Sequence, residues 1–441
     1  MGQSMVIIAM SVFALAGAGL IILNPVWLPV LFPFFYIFYK VTPGVSTFDM
    51  LLVLVGIFAL FCRRITTGAA FSQTPEYERK LLFVLAVYIF ASIISLFNSP
   101  YSGPLGTYHV IATLVLRFLI IYVIVNIVQT KKDLLNCLNA MSVFLILTII
   151  SYFYFSIKYN SLFFYRNYIF VTSIDGTLLD DIILTQPNMI SRVLILIIPI
   201  VYTYALYLKD KWLSMGLKGL CYIGVGIPFF GLGRATMVGV MFAIGGILLK
   251  RKKFVFIILM LAALPLFFSV EQAQERLDSA LQHGYAEGAR DRTAQACLES
   301  FKKYPWFGTG ARSVIYAMEK FGGPTIKREG KTIYKYEHNQ YLTLLAEGGV
   351  VGLVIFLGLT LLYLIYLYRA ISNTRASFYK SLLFAALVAF LGYSLTTFTG
   401  GSTMDNIVFY FVGITLAIMR ISGESSTVAL YQPTRVLAHS R

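Results

Sequence analysis

Tyr336–Gly352 reads YEHNQYLTLLAEGGVVG, and it joins two unlike kinds of chain. Upstream lies a long polar segment. Downstream, residues 349–368 carry no charged side chain. An uncharged run of ~20 residues is what a helix needs to cross a bilayer. Within the stretch, His338 leads into a short apolar helix that Gly348-Gly349 closes. Tyr341, Leu342, Leu344 and Leu345 give this helix an apolar face suited to the membrane interface. His338 falls in its first turn, where the helix dipole disfavours positive charge. That favours a neutral imidazole able to accept a proton. The position fits equally an interfacial histidine that only caps the helix. Glu347 lies about half a turn out of phase with His338 at ~100° per residue. A His–Glu dyad is therefore not expected, and Glu347 is assigned a structural contact near Gly348.

The composition agrees with a membrane setting. Of 441 residues, 58% are hydrophobic and 13% charged, against about 25% charged in soluble domains. The apolar runs are continuous and not alternating, which excludes a β-barrel. The net charge of +16 then reports orientation in the membrane. No basic patch interleaved with aromatics points to nucleic acid. Cys62, Cys137, Cys221 and Cys297 have no metal-ligand spacing and form no disulfide framework. No Lys or Arg precedes Lys40, so the N-terminus reads as a retained first span.

About thirteen apolar runs can enter the bilayer: 5–23, 26–39, 48–62, 81–97, 111–128, 138–157, 189–208, 213–231, 235–249, 254–270, 349–368, 380–398 and 404–420. The first two are joined only by Asn24-Pro25, as two spans or as one span with a broken half-helix. Positive clusters fall at Arg63-Arg64, Lys131-Lys132, Lys209/Lys211, Lys250–Lys253, Arg369/Arg375 and Arg420. Two runs separate each cluster from the next, so all six can face one side, the cytoplasm by the positive-inside rule. The expected fold is an all-α membrane protein of about twelve transmembrane helices. It divides into an N-terminal bundle (1–270), an external loop carrying the active site (271–348), C-terminal helices (349–420) and a cytoplasmic tail (421–441) that is polar and loosely ordered. The loop holds eleven Lys/Arg against ten Asp/Glu, counting Glu347. So near-balanced a loop is exempt from the charge rule. Helices are expected over Gln272–His283 and Asp291–Lys303, with Tyr304-Pro305 ending the second and Gly308-Thr309-Gly310 turning the chain.

Arginines in apolar surroundings are the other candidates. Arg234 lies between two spans at the external side, flanked by Gly231 and Gly233. Arg117 lies within the run 111–128, and Arg192 follows Pro187-Asn188 near the external end of its span. Charge at such depth is expensive and marks function by default. A guanidinium at an external membrane face suits a phosphate, to which it donates two parallel hydrogen bonds. A structural ion pair is the alternative, although the spans offer almost no acids. Arg290 and Arg292, on the loop, read from the residues alone as solvated charges. No P-loop, dinucleotide fingerprint, HExxH or GxSxG elbow is present. Asp175, Asp180 and Asp181 read as an acidic surface loop rather than a metal site.

Three elements together resemble the O-antigen ligase/O-antigen polymerase superfamily. The first is His338-Asn339 followed by Leu342, Glu347, Gly349 and Gly352. The second is Arg290, placed before the P-x-x-G-x-G of Pro305–Gly310. The third is Gly233-Arg234-Ala235 at a span junction. Two departures stand out: Gly233 replaces the usual serine, and Ala294 stands where a tryptophan is often found. The resemblance implies a C-type, all-helical glycosyltransferase of the bacterial inner membrane with its active site facing the periplasm. It implies an undecaprenyl-diphosphate-linked glycan as donor and the lipid A core as acceptor, with no metal or other cofactor. It raises Arg290 beside Arg234 as a diphosphate ligand and His338 as the catalytic residue, with Arg192, Arg117 and Asn339 as further substrate contacts. An O-antigen polymerase or a protein-glycosylating relative shares the signature. A small-anion transporter is the reading from another class. It is disfavoured because no internal repeat is seen.

Overall fold

The computed structural model describes residues 16–37, 46–67, 75–97, 99, 104–158, 187–230, 234–253, 284–311, 313–328, 331–334, 339–397 and 406–431. Residues 16–23 are helical and end in a turn at Asn24–Pro25. There Asn24 Oδ1 accepts from Val26 N at 3.2 Å. The next helix, α1 (Trp27–Ile37), rises only ~16 Å, about half a bilayer. It is held by stacking of Phe32 on Tyr410 and by Tyr410 donating to Pro29 O at 2.9 Å. The chain thus breaks at the Asn-Pro junction, between two helices.

The long helices follow as α2 (Ser46–Thr67), α3 (Glu76–Phe97), α4 (Pro104–Ile127), α5 (Lys131–Lys158), α6 (Pro187–Ala205), α7 (Lys211–Phe230) and α8 (Arg234–Lys250). After them come α9 (Gly284–Lys303), α10 (Val314–Lys320), α11 (Gln340–Asn373), α12 (Ser377–Thr396) and α13 (Asn406–Tyr431). Among the described residues, six helices are long and apolar enough to cross a membrane, and four shorter apolar helices accompany them. α6 is the central strut: every side chain from 193 to 205 is buried, as expected for a helix apolar all round. α11 shows the opposite condition. Val354, Leu357, Leu361, Ile365 and Tyr368 form an exposed stripe at helical spacing, the face such a helix gives to lipid. α8 and α12 cross almost backbone to backbone. A Cβ on Gly239 would stand 2.7 Å from Gly392 O, the small-residue packing typical of membrane helices.

Two expectations need correction, and the helical fold has one small exception: β1 (Thr325–Arg328) and β2 (Lys331–Tyr334) pair antiparallel, Thr325 with Tyr334 and Arg328 with Lys331. The adjacent β-branched Thr-Ile pair in each strand favours strand over helix. The chain beyond Arg420 is no loose tail at first, since α13 continues to Tyr431. And the spans do contain a paired acid. Arg420 forms a buried ion pair with Glu78, its Nη2 on Oε2 and its Nε donating to Oε1 at 3.1 Å. Its Nη1 donates to Val125 O at 3.1 Å. Buried charges persist only when paired and fully hydrogen-bonded, and this guanidinium meets both conditions.

The helix ends fall into two sets. Glu78 and Arg420, Tyr204 and Asn139, Tyr207 and Ser377, and Thr374 and Ser422 meet at one end. These residues flank the basic clusters 131–132, 209–211, 250–253, 369–375 and 420. At the other end Ser95, Gly310, Glu347, Gln340 and Thr397 meet. The loop between residues 271 and 348 therefore joins the bundle at the end away from the basic clusters.

Candidate functional site

The loop end is built around a break in α11. Gly349 has φ 61° and ψ −162° inside an otherwise helical run. A break in a helix orphans carbonyls before it and amides after it. The loop segment 305–310 takes up both sets. Thr309 N donates to Ala346 O and Gly310 N to Glu347 O, each at 2.9 Å. Across the break, Val350 N donates to Pro305 O at 2.8 Å and Val351 N to Trp306 O at 3.1 Å. Ser95 Oγ of α3 adds a 2.7 Å bond to Glu347 O. The approach is so close that a Cβ on Gly349 would overlap the Trp306 carbonyl, and one on Gly308 (φ 65°) would overlap Glu347. The two glycine-bearing elements of the signature are thus the two halves of one backbone splice.

Glu347 takes the structural role expected of it: its Oε1 accepts from Val314 N, the first amide of α10, at 3.1 Å. That charge-assisted bond ties the loop helix to the membrane helix. Behind it, Ala296 and Cys297 of α9, Val314 and Met318 of α10 and Ala346 of α11 form a small separate core, with Leu342 packed against it. Leu344, two residues on, is buried in the main bundle core. The face read as interfacial is therefore a bridge between two cores. α9 itself begins at Gly284, earlier than expected, and stops before Tyr304-Pro305 as expected. Gln272–His283 lies outside the described residues.

The start of α11 differs from the sequence reading. Asn339 is the N-cap, with Oδ1 accepting from Tyr341 N at 2.9 Å and from Leu342 N at 3.3 Å. An asparagine carbonyl caps well, and the helix proper begins at Gln340. His338 thus precedes the cap in the chain and is not a first-turn residue. The histidine itself lies outside the described residues, as do Asp175, Asp180 and Asp181. Gln340 N donates to Thr397 O at 3.0 Å, which docks this segment on the C-terminus of α12.

That same α12 terminus gathers two of the arginine-bearing helices. A Cβ on Gly239 of α8 would meet Thr396, Gly392 and Ile195 of α6. Arg234, the first residue of α8, and Arg192, one turn before Ile195, therefore begin their helices at the loop end. The Arg234 side chain is not among those described; Arg192 is half-buried. Arg290 is exposed on α9, one turn upstream of Thr293, whose Oγ1 donates to Arg290 O at 2.8 Å. Thr293 and Cys297 are buried, so Arg290 continues the stripe that faces the small core. Arg117 sits deeper, its guanidinium 5.7 Å from the Phe409 ring centre. Phe409 also lines an apolar cavity of about 90 Å³ that reaches from Tyr341 to Leu81 between α3, α11, α12 and α13. Ser95 was missed in the sequence because one serine near a span end carries no signal of its own.

Residues 182–357 match the family model described as O-Antigen ligase. The match covers less than half of the chain, and over that segment the chain is similar to this family. It begins just before α6 and ends soon after the Gly349 break, so it contains the whole splice, Arg192, Arg234, Arg290 and Asn339. Among curated proteins no match to the chain was found.

Proposed function

We propose that this protein transfers a glycan from undecaprenyl diphosphate to a sugar hydroxyl of the lipid A core, at the periplasmic face of the bacterial inner membrane. What supports the reading is the match of residues 182–357 to the O-antigen ligase family model, together with the splice of segment 305–310 onto α11 at the end away from the basic clusters. The positive-inside rule makes that end periplasmic.

In this reading the acceptor oxygen attacks the anomeric carbon as the bond from that carbon to the diphosphate breaks. The bond's electron pair leaves with the diphosphate, and His338 takes the hydroxyl proton as general base. Arg234 and Arg290 neutralise the leaving charge by charge-assisted hydrogen bonds. The donor bond is already activated, so neither nucleotide nor metal is required. Arg192, Arg117 and Asn339 border the substrate, with Asn339 also fixing the start of α11 beside His338. The apolar cavity beside Tyr341 offers hydrocarbon room for the lipid of the donor.

The test is reconstitution of purified protein with lipid-linked glycan and core-bearing lipid A in the presence of EDTA. Transfer to the core is expected, and its loss in His338→Ala and in Arg234→Ala with expression unchanged. Full transfer by either variant overturns the assigned roles. Growth of the glycan on its own carrier would identify a polymerase. Displacement of label across the membrane without a new glycosidic bond would identify a transporter.

A further inference from the structure

The end of the bundle opposite the splice carries a cation cluster that the proposed reaction does not use. α8 ends in Lys250-Arg251-Lys252-Lys253, folded back by Lys252 N donating to Leu249 O and Lys253 N to Leu248 O, each at 2.9 Å. Lys252 holds φ 55°, the left-handed conformation. Glycine is the usual residue there, because a side chain costs energy in that region. The chain keeps a cation at the one position of the turn where conformation argues against it.

Lys250 points Nζ over the Phe384 ring of α12, 4.0 Å from its centre, and lies within electrostatic range of Arg251 and Lys380. Arg251 lies within electrostatic range of the Tyr207 side chain. The Tyr207 hydroxyl is held by Ser377 Oγ at 2.7 Å and Ser381 Oγ at 2.9 Å. Three helix ends thus assemble cations on a platform of hydroxyls. Among the described residues no carboxylate pairs with Lys250, Arg251 or Lys380. Asp210 caps α7, its Oδ1 accepting from Trp212 N at 2.8 Å and from Leu213 N at 3.1 Å. Like charges drawn together without a counter-charge are costly, and an arriving anion removes that cost.

We propose that this cluster seats the headgroup of an anionic phospholipid from the surrounding leaflet. The occupant is a lipid and not a free anion because of what flanks the cluster. Leu249 is 52% exposed, and Trp212, at the same end, is 81% exposed. These apolar surfaces continue the cation site toward the acyl chains, and exposed tryptophan is typical of the membrane interface. The lipid phosphate lies against Arg251 and Lys380, with Lys252 screening it from water.

The experiment measures thermal unfolding of the full chain in detergent while lipid is titrated. Phosphatidylglycerol should raise the melting temperature, and phosphatidylcholine should not. Arg251→Gln and Lys380→Gln should each need about five-fold more phosphatidylglycerol for the same rise, the effect of one surface cation. Lys252→Gly guards against misfolding, because it removes a charge and the conformational cost together. It should be more stable than the parent in phosphatidylcholine and respond less to phosphatidylglycerol. An unchanged phosphatidylglycerol response in all three variants overturns the proposal. So does equal stabilisation by inorganic phosphate, which would assign the cluster to soluble anions.

Discussion

The two ends of this bundle are fastened by different chemistry. At the loop end the fasteners are backbone amides and carbonyls: Gly310 to Glu347, Val350 to Pro305, Gln340 to Thr397. At the basic end they are side chains, led by the Arg420–Glu78 ion pair and the Tyr207–Ser377–Ser381 cluster. Backbone fastening demands glycine and close approach, and it makes little use of charge. It suits a face where charge is to be spent on a substrate. Side-chain fastening tolerates variety in the backbone, and at Arg420 and Glu78 it commits two charges to one another.

The contrast can be tested from the strongest effect to the weakest. Arg420→Met leaves Glu78 buried and uncompensated, and should cost ~3–5 kcal/mol of stability. The double variant with Glu78→Gln should recover most of that loss in thermal unfolding. If single and double variants unfold alike, the pair is not what pins the basic end. Gly349→Ala places a side chain at positive φ against the Trp306 carbonyl and should cost at least ~2 kcal/mol. Gly348→Ala, whose Cβ would meet nothing within 4 Å, should stay within ~0.5 kcal/mol. Comparable losses at the two neighbours would show that the splice is loose. Glu347→Ala should cost ~2 kcal/mol by removing the charged acceptor for Val314 N, whereas Glu347→Gln retains an acceptor and should lose less. Glycan transfer should fall in the same order, because this bond sets where α9 and Arg290 stand. Ser95→Ala should show the smallest change, ~1 kcal/mol.

Much of the architecture was legible because lipid imposes long apolar runs and paired backbone groups. The closing role of Gly348-Gly349 could be read for the same reason, as could the turn at Gly308–Gly310. Other features were hidden by distance along the chain. Glu78 sits in the solvent-like string Glu76-Tyr77-Glu78-Arg79-Lys80, and nothing local marks it as the partner of a residue more than 300 positions away. Arg420 looked like one more orientation charge, and its position at the basic end agrees with that while its burial does not. The cap at Asn339 was open to inspection. It was passed over because the neighbouring histidine drew the chemical reading. The strand pair at 325–334 also had a local signal, a Thr-Ile pair on either side of Glu329-Gly330, which the expectation of an all-helical chain obscured.

The splice at Gly349 has a consequence for evolution. The polypeptide departs from it at Gly310 and comes back to it at Ala346, so the excursion begins and finishes at one fixed address. Lengthening or shortening the hairpin between Thr325 and Tyr334 changes only the closure entropy of that excursion, which grows slowly with length. The segment between can therefore vary in length while the anchorage beneath it stays as it is.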